Sequence, residues 1–458
     1  MTYQNFSTGQ LQALDNAHHL HPFTDHKDLR EHGARMIVSA DGPFIRDSDG
    51  NEILDAMAGL WCTNIGYGRE ELARAAFDQM RELPYYNSFF RCTTPTPVLL
   101  AARLADLSPS GLNQVFFGSS GSEANDTALR LVRHFWALEG RPEKNIIISR
   151  KTAYHGSSIT GASLGGMSHM HGQLHGAVPN IVHVMPPYAY EFAETDESDH
   201  DFGLRAARAV EEAILEAGPD NVAAFIGEPV MGAGGVRIPP ASYWPEVQRI
   251  CRKHDVLLMI DEVITAYGRT GAWFGCETYG IEPDTITTAK ALTSGYQPLS
   301  ALMVGDRISE TLVEKGGEFF HGYTYSGHPV CCAVALANLE IIEREGLIDR
   351  VRKDTGPYLA EALASKIGSH AIVGETRSIG LMGAVEIARE NGSRERFDSE
   401  SGVGNIVRDI AIEQRLMIRC VGDTIILSPP LIWTREHIDM ACERLRHALD
   451  GAAARLGA

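Results

Sequence analysis

An alternation of short apolar runs with amphipathic stretches of helical period fills the middle of the chain, and it constrains the fold more than any other feature. Helical patterns occupy 121–140 and 242–255, and the apolar runs lie at 113–119, 145–151, 222–230, 256–263, 284–290 and 299–306. Continuous apolar strands separated by amphipathic helices are typical of a mostly parallel sheet with helices on both faces. We therefore predict an α/β fold.

A second pattern follows the apolar helical stretch at 328–346. Its polar segment 389–401 is predicted to be an exposed loop rather than a basic binding patch. Around that loop we predict a helix at 347–367, a strand at 378–388, a helix at 402–415, an extended run at 416–431 and a last helix from about 434. This order of elements predicts a smaller α+β domain at the C-terminal end.

Composition narrows the class of protein and its partners. With 458 residues the chain is long enough for two domains, and its formal charge of −18 makes nucleic acid an unexpected partner. No run approaches the ~18 apolar residues that span a bilayer, and residues 1–21 show no basic segment followed by an apolar block, so no membrane span or secretory signal is predicted. The eight cysteines show no C-x-x-C spacing and are expected to be reduced, which predicts a cytoplasmic location.

Two ionisable residues stand at the ends of neighbouring predicted strands. Asp261 lies near the end of the run 256–263, and Lys290 closes the run 284–290, 29 residues later. Ligands of open parallel sheets bind at the carboxyl ends of the strands, where both residues fall. An amine and a carboxylate in this place suit one task well. The amine forms a Schiff base with pyridoxal phosphate, and the carboxylate keeps the pyridine nitrogen protonated so that the ring acts as an electron sink.

Further segments match a known family in order and spacing. They are SSGSEAND at 119–126, YHGSS at 154–158, EPVMGAGG at 228–235, IDEVITAYGRTG at 260–271, AKALTSGYQP at 289–298 and TYSGHP at 324–329. In these segments the chain resembles the class III (ω-) aminotransferases of PLP fold-type I, over about residues 20–450. The resemblance implies an N-terminal segment (1–65) that packs with the small domain, a large PLP-binding domain (66–330) and a small C-terminal domain (331–458).

The stretch 118–125 follows a predicted strand and opens a predicted helix. The first N–H groups of a helix lack partners within the helix, and the helix dipole adds partial positive charge there, so this stretch suits a phosphate. Gly121 and Ser122, with Ser120 beside them, are the predicted phosphate ligands. In isolation, an ordinary serine N-cap with Glu123 in the first turn explains the stretch equally well.

The resemblance assigns roles around the ring of the cofactor. It implies that Tyr154 stacks on one face of the ring, with His155 beside it in the same segment, and that Val263 packs on the other face. Glu228 matches the acid on the side of the phenolic oxygen. When the substrate amine displaces Lys290 from the cofactor, the freed Lys290 amine is expected to move a proton between the substrate Cα and C4′ of the cofactor. A second, acceptor oxo acid then reverses the sequence, which gives ping-pong transamination.

The resemblance also implies a second subunit and a set of substrate contacts. Thr324 matches a threonine that reaches the phosphate from the partner of a homodimer, and Phe89 matches a pocket wall, also from the partner. Trp61, Phe23 and Tyr154 match further walls. Arg419 matches a mobile arginine that pairs with the carboxylate of a keto acid and swings away for apolar groups.

Trp61, Tyr154 and Arg419 together most resemble the amine– or β-alanine–pyruvate branch of the family. The expected reaction moves an amino group from an amine or ω-amino acid to pyruvate. Taurine, putrescine and 4-aminobutyrate remain alternative donors, α-ketoglutarate remains an alternative acceptor, and dimers that pair into tetramers remain open. A glutamate-semialdehyde aminomutase or a PLP decarboxylase of the same fold are the less favoured alternatives.

Two other patterns are set aside. The sequence GASLG at 161–165 fits the nucleophile-elbow pattern of hydrolases, which needs a strand directly before it, yet 154–160 is polar. His169, His171 and His175 have no standard metal-site spacing, so we predict a surface loop there and no metal site.

Overall fold

Within residues 5–457, the part of the chain that the computed structural model describes, the strands form three sheets. Residues 1–4 of the predicted N-terminal segment lie outside this part. The strands are β1 Ile37–Asp41, β2 Phe44–Asp47, β3 Glu52–Asp55, β4 Gln114–Gly118, β5 Ile146–Arg150, β6 Ile181–Val184, β7 Val222–Gly227, β8 Leu257–Asp261, β9 Thr285–Thr288, β10 Ser300–Val304, β11 Val373–Ile379, β12 Met382–Ile387, β13 Leu416–Met417, β14 Arg419–Val421 and β15 Thr424–Leu427.

Helices surround the sheets. They are α1 Thr8–His18, α2 His26–His32, α3 Ala58–Trp61, α4 Glu70–Glu82, α5 Pro95–Leu107, α6 Gly121–Leu138, α7 Ile159–Leu164, α8 Ser168–Leu174, α9 Ala189–Phe192, α10 Asp199–Ala217, α11 Tyr243–Lys253, α12 Gly275–Tyr279, α13 Asp306–Lys315, α14 Pro329–Arg344, α15 Leu347–Arg350, α16 Gly356–Ala362, α17 Val403–Glu413 and α18 Arg435–Leu456. In the part that the structure describes, no helix is long and apolar enough to cross a membrane.

The central sheet has the order β4-β10-β9-β8-β7-β5-β6. Its neighbours pair in parallel except for β10, which is antiparallel to both β4 and β9. The predicted mostly parallel sheet is therefore confirmed. Successive residues point to opposite faces: Leu257 packs in the cluster of α6, and Leu258 packs in the cluster of α10 and α11. Helices cover both faces, which is why these strands are continuously apolar.

Five strands were missed in sequence: β1, β2 and β3 of the N-terminal segment, together with β6 and β11. Strand β6 falls in a stretch that looked merely polar, because its four residues include His183 and only one of them is buried. Strand β11 has a half-buried pattern with charged residues, so the single strand predicted at 378–388 is wrong. A turn at Gly380, with a φ of +53°, separates β11 from β12 and joins them as an antiparallel hairpin.

The chain at Lys290 departs from the predicted strand. Strand β9 ends at Thr288, and Lys290 begins a single 3₁₀ turn, Lys290–Leu292, with a φ of +43°. The predicted strand at 284–290 was therefore too long at its end. A positive φ strains a residue that has a side chain, and such strain concentrates at functional sites.

One of the two smaller sheets joins the two ends of the chain. The first has the order β1-β2-β3-β13, so residues near the N-terminus pair with Leu416–Met417 from the C-terminal region. The second has the order β11-β12-β15-β14. The extended run predicted at 416–431 is thus divided between two sheets, which the sequence pattern did not indicate. The β3–β13 pair supports packing of the N-terminal segment with the small domain, and the boundaries of the three units stay a prediction.

Candidate active site

A cavity of about 440 Å³ opens at the carboxyl ends of the central strands. It is where open α/β sheets bind their ligands. Nine residues predicted from sequence line it: Ser120, Gly121, Ser122, Tyr154, His155, Glu228, Asp261, Val263 and Lys290. Five predicted residues are not among its lining residues: Phe23, Trp61, Phe89, Thr324 and Arg419.

Asp261 ends β8 as a buried carboxylate with three hydrogen bonds. Its Oδ2 accepts from His155 Nδ1 at 2.7 Å and from Asn125 Nδ2 at 2.8 Å, and its Oδ1 accepts from the Val263 backbone N–H at 3.0 Å. Burial by itself would raise the pKa of Asp261, but the hydrogen bonds from His155 and Asn125 outweigh it and lower the pKa. The carboxylate is therefore ionised at neutral pH.

Asn125 is the residue that sequence reasoning missed at this centre. It lies in the quoted segment 119–126, four residues after Gly121, and its Nδ2 also donates to the His155 carbonyl at 2.9 Å. A residue four positions along a helix faces the same side, so the helix that begins at the predicted phosphate ligands indicated its place. Only the fold shows that Asp261 lies beside it.

Lys290 projects into the same cavity from its strained turn. Burial lowers the pKa of Lys290, and the Cys62 thiol, Asp261 and Glu228 partly oppose this effect. A neutral amine can act as a nucleophile or accept a proton, whereas an ammonium cannot. Cys62, which sequence reasoning also missed, lines the cavity through its place directly after Trp61.

The N-terminus of α6 satisfies both interpretations of 118–125. Ser120 is the N-cap, and its Oγ accepts from the Glu123 N–H at 3.2 Å. The Glu123 carboxylate reaches back and accepts from the Ser119 N–H at 2.6 Å. The N–H groups of Gly121 and Ser122 have no acceptor in the described chain, so two aligned donors face the cavity.

Close packing keeps this cradle small. A Cβ on Gly121 would lie 2.9 Å from Val263 Cγ2, so a larger residue would displace the Val263 side chain. Gly156 has a φ of +130°, and a Cβ there would lie 2.6 Å from Ser122 Oγ. The Ser122 Oγ in turn accepts from the Ser157 N–H at 3.0 Å. Both glycines thus allow the backbone to approach a ligand closely.

Glu228 and Tyr154 form another wall of the cavity. Glu228 is buried, and its carboxylate accepts from the Gly232 N–H at 2.9 Å and from the Tyr154 N–H at 3.3 Å. Burial raises the pKa of Glu228 above its ordinary value. The Tyr154 hydroxyl lies 2.9 Å from Ser157 Oγ, which fixes the position of the ring at the mouth of the cavity.

Three of the predicted substrate residues lie around the cavity rather than in its lining. Trp61 is only 2 % exposed and belongs to an apolar cluster against which Tyr154 packs. The Phe23 ring is 6.3 Å from the Tyr154 ring and is mostly exposed. Arg419 begins β14. Burial lowers its pKa, the opposing effects come from Cys420 and Tyr154, and no carboxylate of the described chain is among them.

Thr324 and Phe89 lie together on a different part of the surface. The Thr324 carbonyl accepts from the Tyr85 hydroxyl at 2.6 Å, and a Cβ on Gly322 would be 2.9 Å from the Phe89 ring. Neither residue lines the cavity of its own chain. The nucleophile-elbow alternative is contradicted, because Ser163 is buried inside α7 and donates to the Ile159 carbonyl at 2.6 Å.

The histidines at 169–175 are not in a plain loop, since most of that segment forms α8. Another group, Asp15, His19 and His21, brings potential metal ligands within 4.8 Å of one another near the N-terminus. Its contacts are internal hydrogen bonds, from His19 Nδ1 to Asp15 Oδ1 at 2.9 Å and from His21 Nε2 to Asp15 Oδ2 at 2.8 Å. They explain the cluster without an ion.

The family that these features define is the class III aminotransferases. The family model "Aminotransferase class-III" matches residues 28–449, so the chain belongs to this family, and it is a pyridoxal-phosphate-dependent aminotransferase. The predicted family, fold class, enzyme class and cofactor are thereby confirmed.

Particular relatives cover nearly the whole chain. A putrescine–pyruvate aminotransferase of Pseudomonas aeruginosa is 51% identical over 98% of this chain and 98% of its own length. A diaminobutyrate–2-oxoglutarate transaminase of Halomonas elongata is 43% identical over 91% and 90%. A thermostable (S)-enantioselective omega-transaminase from Thermomicrobium roseum is 42% identical with a TM-score of 0.95, covering 98% of this chain and 99% of that one.

The residues of the cavity fit pyridoxal phosphate. Two unpaired backbone N–H groups at a helix N-terminus suit its phosphate, and the ionised Asp261 suits a protonated pyridine nitrogen. Lys290, with its lowered pKa, suits attachment to the aldehyde. The glycines at 121 and 156 leave the space that a Cβ would fill.

Proposed function

We propose that this enzyme transfers the amino group of a primary amine, with putrescine as its first candidate donor, to pyruvate. The observation that carries the proposal is the single cavity that holds Lys290, an ionised Asp261 and the open N-terminus of α6, with Arg419 near its edge. The relative named for putrescine and pyruvate, at 51% identity, supports these two substrates.

Bound pyridoxal phosphate would supply an aldehyde carbon and an electron-withdrawing ring. The chain's own residues then divide the work. Gly121 and Ser122 bind the phosphate through their N–H groups, and Asp261 holds the proton at the ring nitrogen. Lys290 Nζ would hold the cofactor, and in its neutral form the same amine would carry the proton that is removed from the substrate carbon.

Arg419 is the proposed partner of the carboxylate of pyruvate. Its guanidinium is half-buried, and no carboxylate of the described chain pairs with it. A buried guanidinium without an ion pair gains most from a ligand that brings the missing charge in a bidentate geometry. A diamine donor has no carboxylate, so Arg419 forms no ion pair with the donor.

The donor side is proposed to be formed by aromatic residues. Trp61 and Tyr154 pack in one apolar cluster, and the exposed Phe23 lies near Tyr154. Aromatic walls of this kind accept the methylene chain of a diamine or the ring of an arylalkyl amine. A donor screen distinguishes these donors from one another and from the alternatives taurine and 4-aminobutyrate.

We further propose a homodimer whose partner contributes Thr324 and Phe89. The surface formed by residues 85–90 and 320–326 supports this proposal, because it carries Phe90, Phe320 and Tyr325 at 90%, 77% and 59% exposure. Exposed apolar residues grouped on one surface are typical of an interface. The proposed cytoplasmic location fits the cysteines of the described chain, which form no disulfide.

The experiment is a donor and acceptor matrix with the purified holoenzyme. Putrescine, β-alanine, 4-aminobutyrate, taurine and (S)-1-phenylethylamine are each paired with pyruvate, and alanine is quantified. The expected result is alanine formation with putrescine as the best donor, and none with Lys290→Ala.

A second acceptor tests whether pyruvate is the preferred keto acid. Each donor is also paired with 2-oxoglutarate, and glutamate is quantified. More efficient glutamate formation than alanine formation with every donor would reject pyruvate as the acceptor and favour the kind of reaction named for the Halomonas relative. Failure of every donor would reject the proposed substrate class.

A further inference from the structure

The turn after β3 has an unusual backbone. Ala58, Gly59 and Trp61 have φ values of +49°, +67° and +65°, so three of four consecutive residues lie in the left-handed region. Ala58 and Trp61 are not glycines, and for them this region is strained. Strain of this kind persists only where the surrounding structure holds the chain in place.

A buried carboxylate at the end of β3 holds this turn. Asp55 is 1% exposed, and its Oδ1 accepts from the Met57 N–H at 2.8 Å. Its Oδ2 accepts from the Gly59 N–H and from the Tyr67 hydroxyl, each at 2.7 Å. Three donors face two oxygens. Burial raises the pKa of Asp55, and these donors counteract that effect by stabilising the ionised form.

The start of the turn is fixed at Ala56. The Ala56 N–H donates to the Met417 carbonyl at 3.0 Å, and the Ala56 carbonyl accepts from the Ser428 N–H at 2.7 Å. Met417 belongs to β13, two residues before Arg419. The strained turn thus starts at a fixed base, and the Asp55 carboxylate holds the N–H groups of Met57 and Gly59 within it. The turn also lies next to β13, which leads to Arg419.

The turn delivers two side chains to the site. Trp61 enters the apolar cluster against which Tyr154 packs, and Cys62 lines the cavity that contains Lys290. Cys62 also packs against the loop after Lys290, since a Cβ on Gly295 would lie 3.1 Å from Cys62 Cβ. A small rotation of the turn would therefore move one wall of the cavity.

We propose that Asp55, with Tyr67, is a positioning residue that sets substrate selectivity by holding the turn of Trp61 and Cys62. The inference rests on the proposed aminotransferase function and deepens it, because it names what fixes the donor side of the cavity. Asp55 does not touch the substrate. It acts through the turn, so its loss changes which donors fit more than it changes binding of the cofactor.

The test uses three variants of the holoenzyme. Asp55→Asn places an N–H₂ group where an oxygen faces N–H or O–H donors, and Tyr67→Phe removes one donor only. Glu52→Gln is the matched control, because Glu52 lies on the same strand, is exposed and pairs with Arg46 on the surface. Selectivity is the ratio of kcat/KM for (S)-1-phenylethylamine to that for putrescine, measured with whichever acceptor the wild type uses.

We expect Asp55→Asn to change this ratio roughly 10-fold or more, since misplacement by about 1 Å costs that much. Tyr67→Phe should change it in the same direction by less, and Glu52→Gln should leave it unchanged. Affinity for pyridoxal phosphate should change by a smaller factor than the ratio does, because Asp55 contacts none of the residues proposed to hold the cofactor. A merely structural role would lower both kcat/KM values equally.

A double-mutant cycle separates action through Trp61 from a direct effect. In a Trp61→Ala background, Asp55→Asn should change the ratio by less than about twofold, because the side chain that it positions is gone. Additive changes would overturn the proposal, and so would an unchanged ratio in both Asp55→Asn and Tyr67→Phe. If Asp55→Asn does not fold, an unchanged ratio in Tyr67→Phe alone overturns it. A wild type without aminotransferase activity on any pair would instead reject the proposed function.

Discussion

Replacing Arg419 with alanine should separate the two substrates of the proposed reaction. The guanidinium is half-buried and has no carboxylate partner in the described chain, so a keto acid would provide its only ion pair. Truncating one partner of a buried, hydrogen-bonded charge pair costs about 2–5 kcal/mol. Because Arg419 is only partly shielded from water, we expect about 2–3 kcal/mol, which corresponds to a loss of roughly 30- to 150-fold.

The loss should appear in one half-reaction only. Single-turnover experiments with pre-loaded enzyme measure kcat/KM for pyruvate separately from that for putrescine. Arg419→Ala should lower the pyruvate value by the stated factor and leave the putrescine value within about twofold, since the diamine carries no carboxylate. Arg419→Lys should lose part of the effect, because an ammonium keeps the charge but not the bidentate fork.

Arg408→Ala is the control variant. Arg408 lies on the neighbouring helix α17 and binds Asp409 and Asn405 at the surface, so its removal should change neither half-reaction. Equal losses for pyruvate and putrescine in Arg419→Ala would refute the reasoning and would make Arg419 a structural residue of β14.

Three further predictions concern the cofactor site. Asn125→Ala removes one hydrogen-bond donor from Asp261 Oδ2. Because hydrogen bonds to charged groups contribute about 1.5–3 kcal/mol, turnover should fall roughly 10- to 150-fold. An unchanged single-turnover rate would contradict this prediction. Gly121→Ala adds a Cβ 2.9 Å from Val263 Cγ2 and should weaken the binding of pyridoxal phosphate, measured by titration, roughly fivefold or more. Gly172→Ala is the control, because its Cβ meets nothing within 4 Å and should leave this binding unchanged. In the cofactor-free protein, Lys290→Met should raise Tm at pH 7, because burial disfavours the charged ammonium of Lys290 in the folded state and so lowers its pKa. The difference in Tm should shrink as the pH approaches about 10.4, where the unfolded chain also loses this proton, and a difference that does not depend on pH would disprove it.

Strong local patterns made much of the fold predictable. The strands β7 and β8 are buried on both faces, so their sequences are continuously apolar, and α6 begins at a run of small residues with a serine cap. Strands β6 and β11 are only partly buried, and their sequences therefore lack the apolar run that would have indicated them.

The sequence predicted those site residues whose own functional group performs the chemistry, such as the amine of Lys290 and the carboxylate of Asp261. Asp261 ends β8 and Lys290 follows two residues after β9, close to the places that the sequence predicted, and the structure puts both in one cavity. Asn125 and Asp55 were missed because each acts on a partner distant in sequence or on the backbone of a turn. Their roles depend on long-range contacts and on φ values, which no local pattern encodes.

The central claim is that Lys290 Nζ is the atom that holds pyridoxal phosphate. Borohydride reduction of the holoenzyme makes such a link permanent, and proteolysis followed by peptide mass spectrometry then locates the added pyridoxyl group. The account predicts that the group is found on the peptide containing Lys290 and on no other lysine. A pyridoxyl group on a different lysine, or a fully loaded enzyme that yields no modified peptide, would contradict it.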